Sequence, residues 1–163
     1  MANKVYRASE TPVVFRDSGG DVAMGLQNLG FGAGRVSAQK DRGSGSVAQL
    51  HEVIGVFQFE SAPIVGEVIE IYLFQSDGTY MDGTLGTSDA AMSSDKRRNG
   101  MLVGTVIVDT TSTGTDIVGR FQNVPISSRY YSMGAWNASA GDNLKNTANT
   151  SRIIVTPMPP EIQ

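Results

Sequence analysis

Cysteine is absent from this sequence of 163 residues, and histidine occurs once, at His51. A chain without cysteine has no disulfide, no thiolate nucleophile and no cysteine-bound zinc, so its stability must come from packing or from assembly. Long apolar runs are also missing: no stretch reaches the roughly 18 residues of a membrane-spanning helix, and the start lacks the apolar segment of a secretory signal. We therefore expect a protein that is synthesised in a cytoplasm and does not enter a membrane.

Positive charge is scarce as well. The chain has 13 Lys and Arg against 16 Asp and Glu, which gives a net charge of −3. Nucleic-acid binding needs a clustered excess of cations to neutralise phosphates. The nearest cluster, Lys96-Arg97-Arg98, lies in a polar segment and is interpreted as a solvated loop. We expect no direct contact with nucleic acid.

Residues that usually form an active site are few and poorly placed. His51 begins a predicted strand, the neighbouring Glu52 would point to the opposite face, and no Gly-x-Ser-x-Gly turn is present. Glu67 and Glu70 stand three apart on a predicted strand, so they lie on opposite faces, which does not suit a glycosidase carboxylate pair. We expect a protein that is not an enzyme, with no catalytic residues, no cofactor and no metal centre.

One long polar segment, residues 76–100, keeps an ion-binding alternative open. It is too long for a hairpin turn, and loops of this length are usually functional or contain a small element of their own. Four aspartates occur in it: Asp77, Asp82, Asp89 and Asp95. Their spacing differs from that of an EF-hand loop, and Asp-Gly is above all a turn dipeptide. Ser88 as an N-cap predicts a short helical turn over residues 89–92.

The aromatic residues offer a second alternative, a glycan-binding surface. Exposed rings can pack against the apolar faces of sugars. Strand alternation places Tyr130 and Trp136 on one face and Tyr131 on the other, so at least one of these faces belongs to the core. The remaining tyrosines that could form a platform are Tyr6, Tyr72 and Tyr80.

What the sequence does contain favours β structure. Short runs rich in Val, Ile, Phe and Tyr alternate with Gly, Asn, Asp and Pro, while helical periodicity is almost absent. The clearest predicted strands cover residues 51–60, 66–75, 101–109, 117–124, 129–137 and 152–156. Residues 101–109 are apolar on both faces, which predicts a central strand covered on two sides.

The first part of the chain differs from the rest. Glycine interrupts it repeatedly, so residues 1–47 are predicted to form an arm with one or more strands that gains burial on a neighbouring subunit. Residues 48–157 would form an antiparallel β-sandwich, and residues 158–163 an extended proline-rich tail. Aromatic rings and arginines concentrate binding energy at interfaces, so the expected contact residues of the arm are Tyr6, Phe15, Arg16, Phe31 and Arg35.

Several short segments of the sequence together resemble one family. These are residues 5–12 (VYRASETP), 32–39 (GAGRVSAQ), 65–72 (VGEVIEIY), 82–84 (DGT), 128–137 (SRYYSMGAWN) and 154–157 (IVTP). They are similar to tailed-bacteriophage virion structural proteins of the kind that decorates or cements the head. These segments contain no catalytic motif, and they are spread over nearly the whole chain.

The resemblance implies a jelly-roll sandwich, often trimeric, that binds the major capsid protein on the surface of the virion. Its function would be to stabilise the assembled shell. Two alternatives stay open at this point: a neck, tail or fibre-anchoring component of the particle, and a glycan-binding attachment module. A hydrolase is the third possibility, from a different functional class.

Overall fold

The computed structural model describes residues 5–7, 10–44, 48–82 and 87–162, with only the backbone for residues 5–7 and 160–162. Strands dominate this part of the chain, because runs of β-branched and aromatic residues alternate with glycine and polar turns. The all-β prediction is confirmed. One helix of four residues occurs there, and no helix within these ranges is long and apolar enough to cross a membrane.

The elements are numbered along the chain. The strands are β1 (Val5–Arg7), β2 (Val13–Arg16), β3 (Val22–Ala23), β4 (Ala33–Val36), β5 (Lys40–Asp41), β6 (Leu50–Phe57), β7 (Val68–Ser76), β8 (Ala90–Met92), β9 (Met101–Ile107), β10 (Ile117–Pro125), β11 (Tyr130–Asn137), β12 (Arg152–Pro157) and β13 (Pro160–Ile162). The helix is α1 (Ser94–Arg97).

Two sheets form a sandwich. The first has the strand order β10-β6-β12-β2-β3, and its only parallel pair is β2 with β3. The second has the order β8-β4-β11-β7-β9, and β5 pairs with the start of β11. Apart from β2 and β3, neighbouring strands come from distant parts of the chain; β2 near the start, for example, pairs with β12 near the end.

The main core lies between the two sheets. It is built from the inward residues of each strand, which include Phe15, Val53, Phe57, Ile69, Ile71, Val106, Met133 and Ile153. Gly55 allows the sheets to approach closely, because a Cβ atom there would lie 2.5 Å from Cδ1 of Ile71. Period-2 alternation thus places the apolar face of each strand inside the sandwich.

A second apolar cluster covers the outer face of the second sheet. It joins residues of β4, β7 and β11 to residues of the connection between β7 and β9: Val36, Tyr72, Phe74, Met81, Met92 and Trp136. The long polar segment 76–100 is therefore partly anchored, because Met81 and Met92 bury their side chains on this sheet. The two sheets differ in consequence, since no second cluster of this kind covers the first among the described residues.

Residues 10–44, which we expected to form an arm separate from the sandwich, instead contribute to both of its sheets. β2 and β3 extend the first sheet, while β4 and β5 join the second. Phe15, Met24 and Leu26 are fully buried in the main core. The arm prediction is therefore wrong for these residues. These residues have few apolar side chains, but the ones they have are enough to hold them in the sandwich, because each faces a core that the rest of the chain forms.

The predicted helical turn over residues 89–92 is also wrong. Residues 90–92 form β8, which pairs with β4, and Met92 enters the second cluster. The short helix begins later, and Ser93 rather than Ser88 caps it by accepting a hydrogen bond from the Lys96 backbone N–H at 3.3 Å. Pairing with a distant strand outweighs the local capping preference here.

The residues that form strand β9 were predicted correctly, but its position within the sheet was not. Its sequence predicts a central strand, yet β9 is the last strand of the second sheet and pairs only with β7 among the described strands. Val106 faces the core, while Leu102 and Ile107 are largely exposed. The prediction of cover on both faces is wrong for the single chain.

The two ends of the chain meet in a small ribbon. β1 and β13 pair antiparallel, with Val5 opposite Ile162 and Arg7 opposite Pro160. The ladder of β12 stops at Pro157, and the chain pairs again after two residues. Over residues 160–162 the tail is an extended strand, and it pairs with β1. A two-stranded ribbon is marginally stable by itself.

Candidate partner-binding surfaces

The five residues predicted to contact a partner do not form one surface. Phe15 is fully buried, with its ring centroid 5.8 Å from that of Tyr131, so it is a core residue rather than a contact residue. Phe31 lies in a turn before β4 and is 58% exposed. The side chain of Tyr6 lies outside the described residues.

Arg35 has a partner within its own chain. Its Nε and Nη2 atoms donate to the two carboxylate oxygens of Asp89 at 2.7 and 2.8 Å, and Asp89 also accepts from the Gly25 backbone N–H. The hydrogen bonds to Asp89 raise the pKa of Arg35. This bidentate ion pair fixes β4 to the connection before β8, so Arg35 stabilises the fold instead of offering a free guanidinium.

Of the predicted contact residues whose side chains are described, Arg16 alone lies on a continuous surface with an apolar centre. This surface, which we call the open face, is the outer side of the first sheet. Arg120, Ile54, Ile154 and Val14 form one row across four strands of it. Val118, Val56 and Arg152 form the next row, and Arg16 follows Phe15 on β2 with the opposite orientation.

The open face combines apolar side chains with arginines. Val14, Ile54 and Ile154 each keep part of their surface accessible to solvent, and Val118 is exposed. The arginines are held at its border by the same chain: Arg120 lies 3.3 Å from Glu52, and Arg152 lies 3.7 Å from Asp116. An apolar centre bordered by arginines is the composition that protein interfaces favour.

The sequence carried a signal for the open face that we did not use. In residues 51–60, Glu52 lies on the face opposite Val53 and Phe57, which alone would indicate a polar outer face. Ile54 and Val56 lie on the same side as Glu52, so this strand is apolar on both faces. A strand of that kind is covered on both faces or takes part in an interface.

A second exposed apolar surface lies at one edge of the sandwich. It consists of β9 and the turn before β7: Leu102 is 52% exposed, Ile107 is 61% exposed, and the neighbouring Ile64 and Val65 are also exposed. The turn is held beside the end of β9, because the Gly66 N–H donates to the Val108 carbonyl at 2.9 Å. We call this surface the β9 edge.

His51 lines a cavity of about 260 Å³ near the ends of the chain. Its ring is almost completely buried, and its Nδ1 atom has no hydrogen-bond partner among the described residues. Burial and the nearby Arg42 lower the pKa of His51 to about 4. A neutral ring with so low a pKa is a weak base at pH 7, which makes His51 a poor general base.

Arg42 in the same cavity has a structural role. Its guanidinium donates to the carbonyls of Ala48 at 2.6 Å, Ser128 at 2.9 Å and Ile126. Burial lowers its pKa. Burial also raises the pKa of the neighbouring Tyr131, which stays neutral. The ionisable groups around His51 therefore hold the fold together, and they form no charge-relay arrangement within the described chain.

The aromatic residues proposed as a glycan platform are mostly covered. Trp136 is only 7% exposed, and the Arg97 guanidinium lies over its ring, 4.4 Å from the centroid. Arg97 also donates to Glu70 at 2.5 Å, and Glu70 accepts from the Tyr72 hydroxyl at 2.5 Å. The middle residue of the basic triplet is thus engaged inside the molecule. Among the candidate rings that the structure describes, Tyr80 alone is largely exposed, at 78%.

The aspartates of residues 76–100 mostly bind the backbone of their own chain. Asp77 accepts from the N–H groups of Thr79 and Tyr80, both at 2.8 Å, and these bonds lower its pKa. Asp82 accepts from the Gln75 N–H at 2.9 Å. Among the described residues no three His, Asp or Glu side chains are grouped closely enough to hold a metal ion.

Comparison with known proteins adds no identification: no protein-family model matches the chain, and no curated protein matches it. The similarity of residues 5–12 and 128–137 to phage virion proteins therefore stays a hypothesis. Function has to be inferred from the open face, the β9 edge and the chemistry of the residues around them.

Proposed function

We propose that this chain is a non-enzymatic structural protein of a tailed-bacteriophage particle. It decorates the capsid and stabilises it by binding the major capsid protein. In this proposal the sandwich is of the jelly-roll type and acts as a homotrimer on the virion surface, as the resemblance implies. The alternative station within the same particle is the neck, the tail or a fibre anchor.

The observation that supports the proposal most directly is the open face. Val14, Ile54 and Ile154 form an apolar centre on a sheet whose outer side carries no second cluster among the described residues. Each buried CH₂ group contributes about 0.8 kcal/mol, so covering this centre would favour binding to another protein. The bordering ion pairs of Arg120 with Glu52 and of Arg152 with Asp116 leave guanidinium N–H groups that can donate hydrogen bonds to carbonyl groups of a partner.

The ionisable residues also fit a structural role. Arg35, Arg42 and Arg97 each bind groups of their own chain, and His51 is held neutral. A protein of this kind acts by mass action: it binds only the assembled shell, and so it lowers the free energy of the shell relative to free subunits.

Binding to capsids tests the proposal. Empty capsids assembled from the major capsid protein of the same phage are mixed with the chain and sedimented. We expect Arg120→Glu to weaken co-sedimentation about tenfold or more, because it places an acidic group at the border of the apolar centre. Ile54→Glu should weaken it further, since it places a charge in the centre itself.

The matched control is Arg98→Glu. It makes the same change of charge on an exposed residue after α1, away from the open face. It should bind capsids as the unchanged protein does. Thermal unfolding of all three variants establishes that they fold. If folded Arg120→Glu and Ile54→Glu bind normally, or if the unchanged chain does not bind capsids, the proposal is wrong.

A glycan-binding function is the second candidate, and only Tyr80 favours it. Its exposed ring stands beside a shallow depression lined by Gln75, Asp77, Asp82 and Ser128. If the chain binds sugars, Tyr80→Ala should abolish retention on a glycan array, while Tyr130→Phe, a change that keeps the ring, should have no effect. Retention that survives Tyr80→Ala would exclude this site.

A further inference from the structure

Strand β9 is an edge strand without the usual protection. Edge strands in soluble proteins generally carry charged residues, prolines or bulges that discourage pairing with another chain. β9, with the sequence MLVGTVI, contains no charged residue and no proline. Its only irregularity is a bulge against β7 near Val103, between the pairs Tyr72–Leu102 and Ile71–Gly104.

The composition of β9 conflicts with its position. A strand that is apolar on both faces is typical of a sheet interior, where neighbours cover it on each side. In the single chain, Leu102 and Ile107 are exposed, and one side of the backbone has no partner strand within the described chain. A strand that continued the sheet beyond β9 would pair its free backbone side and would place side chains beside Leu102 and Ile107.

We propose that this strand is β9 of a second copy of the same chain, paired antiparallel across a two-fold axis. A two-fold contact requires a surface that is complementary to itself. An uncharged strand meets this condition, because no like charges come together along its length. The proposal goes beyond capsid decoration and does not depend on it.

The alternation of side chains determines the register. Gly104 and Val106 face the core: a Cβ atom at Gly104 would meet the ring of Phe121, and Val106 is buried. Thr105 and Ile107 point outwards. A two-fold axis at Thr105 sets this residue opposite its own copy and keeps inward residues opposite inward ones, with Gly104 opposite Val106. Ile107 then lies opposite the bulge that contains Val103.

Charges at the two ends of β9 support an antiparallel pair of identical chains. The end before β9 carries Lys96 and Arg98 against one acidic residue, Asp95, which lies 3.8 Å from Arg98, so this end keeps a net positive charge. The end after β9 carries the exposed Asp109. Antiparallel pairing brings the basic end of each copy towards the acidic end of the other. Opposite charges thus approach at both ends of the contact, which favours this orientation over others.

The exposed residues beside β9 enlarge the contact. Ile64 and Val65 stand at the end of β9 that includes Ile107, because their turn is bound to Val108. Two-fold pairing brings Ile107 of each copy beside the end of β9 in the other copy, where Met101 and Leu102 are exposed. The Ile64–Val65 turn, bound to the β7 side of Val108, borders this contact. Apolar side chains at both ends of the strand therefore lose contact with water together.

The mass of the full chain in solution tests the pairing. Light scattering coupled to size exclusion, over a range of concentrations, should give an even number of chains: two for the β9 pair alone, and six where β9 pairing joins two of the proposed homotrimers. Thr105→Lys should raise the dissociation constant at least tenfold, because two lysines then stand directly opposite each other. Since Thr105 is exposed, the melting temperature of the monomeric Thr105→Lys variant should differ little from that of the unchanged monomer.

Two further variants make the test specific. Thr113→Lys makes the same substitution on an exposed loop residue and should leave the mass unchanged. Thr105→Glu alone should also dissociate, but an equimolar mixture of Thr105→Glu and Thr105→Lys should associate again, because each contact then pairs opposite charges. This rescue is expected only if Thr105 lies on the axis.

A monomer at all concentrations, an odd number of chains, or a mass that Thr105→Lys does not change would overturn the pairing. Failure of the mixed variants to associate again would overturn the register. None of these results affects capsid binding, which is tested separately with Arg120→Glu and Ile54→Glu on the open face.

Discussion

Replacing Phe15 with alanine is expected to lower the free energy of unfolding by about 3–5 kcal/mol, the range typical of a buried phenylalanine. Phe15 is fully buried, lies opposite Ile153 in the first sheet and contacts the ring of Tyr131. Removing its ring leaves a cavity between the two sheets that surrounding side chains fill only in part. The loss would be a large share of the stability of a domain of this size.

Urea unfolding followed by circular dichroism measures the effect, and Phe31→Ala is the matched control. Both substitutions remove the same side chain from the first 47 residues, but Phe31 is 58% exposed. Phe31→Ala should change the free energy of unfolding by no more than about 0.5 kcal/mol. Equal and small effects of the two substitutions would restore the hypothesis that this part of the chain is an arm outside the core.

The contrast between these two phenylalanines explains why the first part of the chain was misjudged. Strands such as β6, β7 and β11 are long enough for their alternation to be read directly, and the sequence predicted them well. β2, β3 and β4 have only two to four residues each, separated by glycines. Their identity depends on partners far along the chain, which no local pattern contains.

The candidate surfaces were predictable only in part, for a related reason. Arg16 and Arg35 were predicted as contact residues from residue type alone, and both lie in short strands. What distinguishes them is Asp89, which lies 54 positions from Arg35 in sequence and satisfies its guanidinium. Arg16 instead donates to the carbonyl of Gly19, three residues further along its own turn. The two arginines look alike in sequence, and their different partners are known only in the folded chain.

β9 is the opposite case, in which the sequence pattern predicts burial that the single chain does not provide. Its two apolar faces predict cover on both sides, and the structure shows an exposed edge. A pattern that disagrees with the fold of one chain can describe the assembly instead. On the open face, Ile54 and Ile154 are likewise apolar residues that the single chain leaves partly exposed.

His51 should make the stability of the protein depend on pH in a particular window. Burial and the positive charge of Arg42 lower its pKa in the folded state to about 4, against 6.5 in the unfolded chain. Between these values the unfolded state binds a proton that the folded state does not. Stability is therefore complete above about pH 6.5 and falls as the pH drops towards 4. The loss amounts to about 2–3 kcal/mol.

Urea unfolding at pH 7 and at pH 4.5 measures this loss, with His51→Leu as the comparison. The leucine variant keeps every carboxylate, including Asp41, whose pKa of about 2 is set chiefly by hydrogen bonds from Arg129. Asp41 titrates below the window, so it contributes equally to both proteins. The variant should lose less stability on acidification than the unchanged protein, by about 2–3 kcal/mol.

The single histidine makes a direct measurement possible as well. One imidazole signal in a proton NMR titration should belong to His51 and move with a midpoint near pH 4. A midpoint near 6.5 would mean that the ring reaches water or a carboxylate, and the cavity beside Glu10 and Asp41 would then be open to solvent or to a ligand. A low midpoint together with a flatter pH profile for His51→Leu would establish the ring as a buried neutral group, held in that state by Arg42 and the surrounding core.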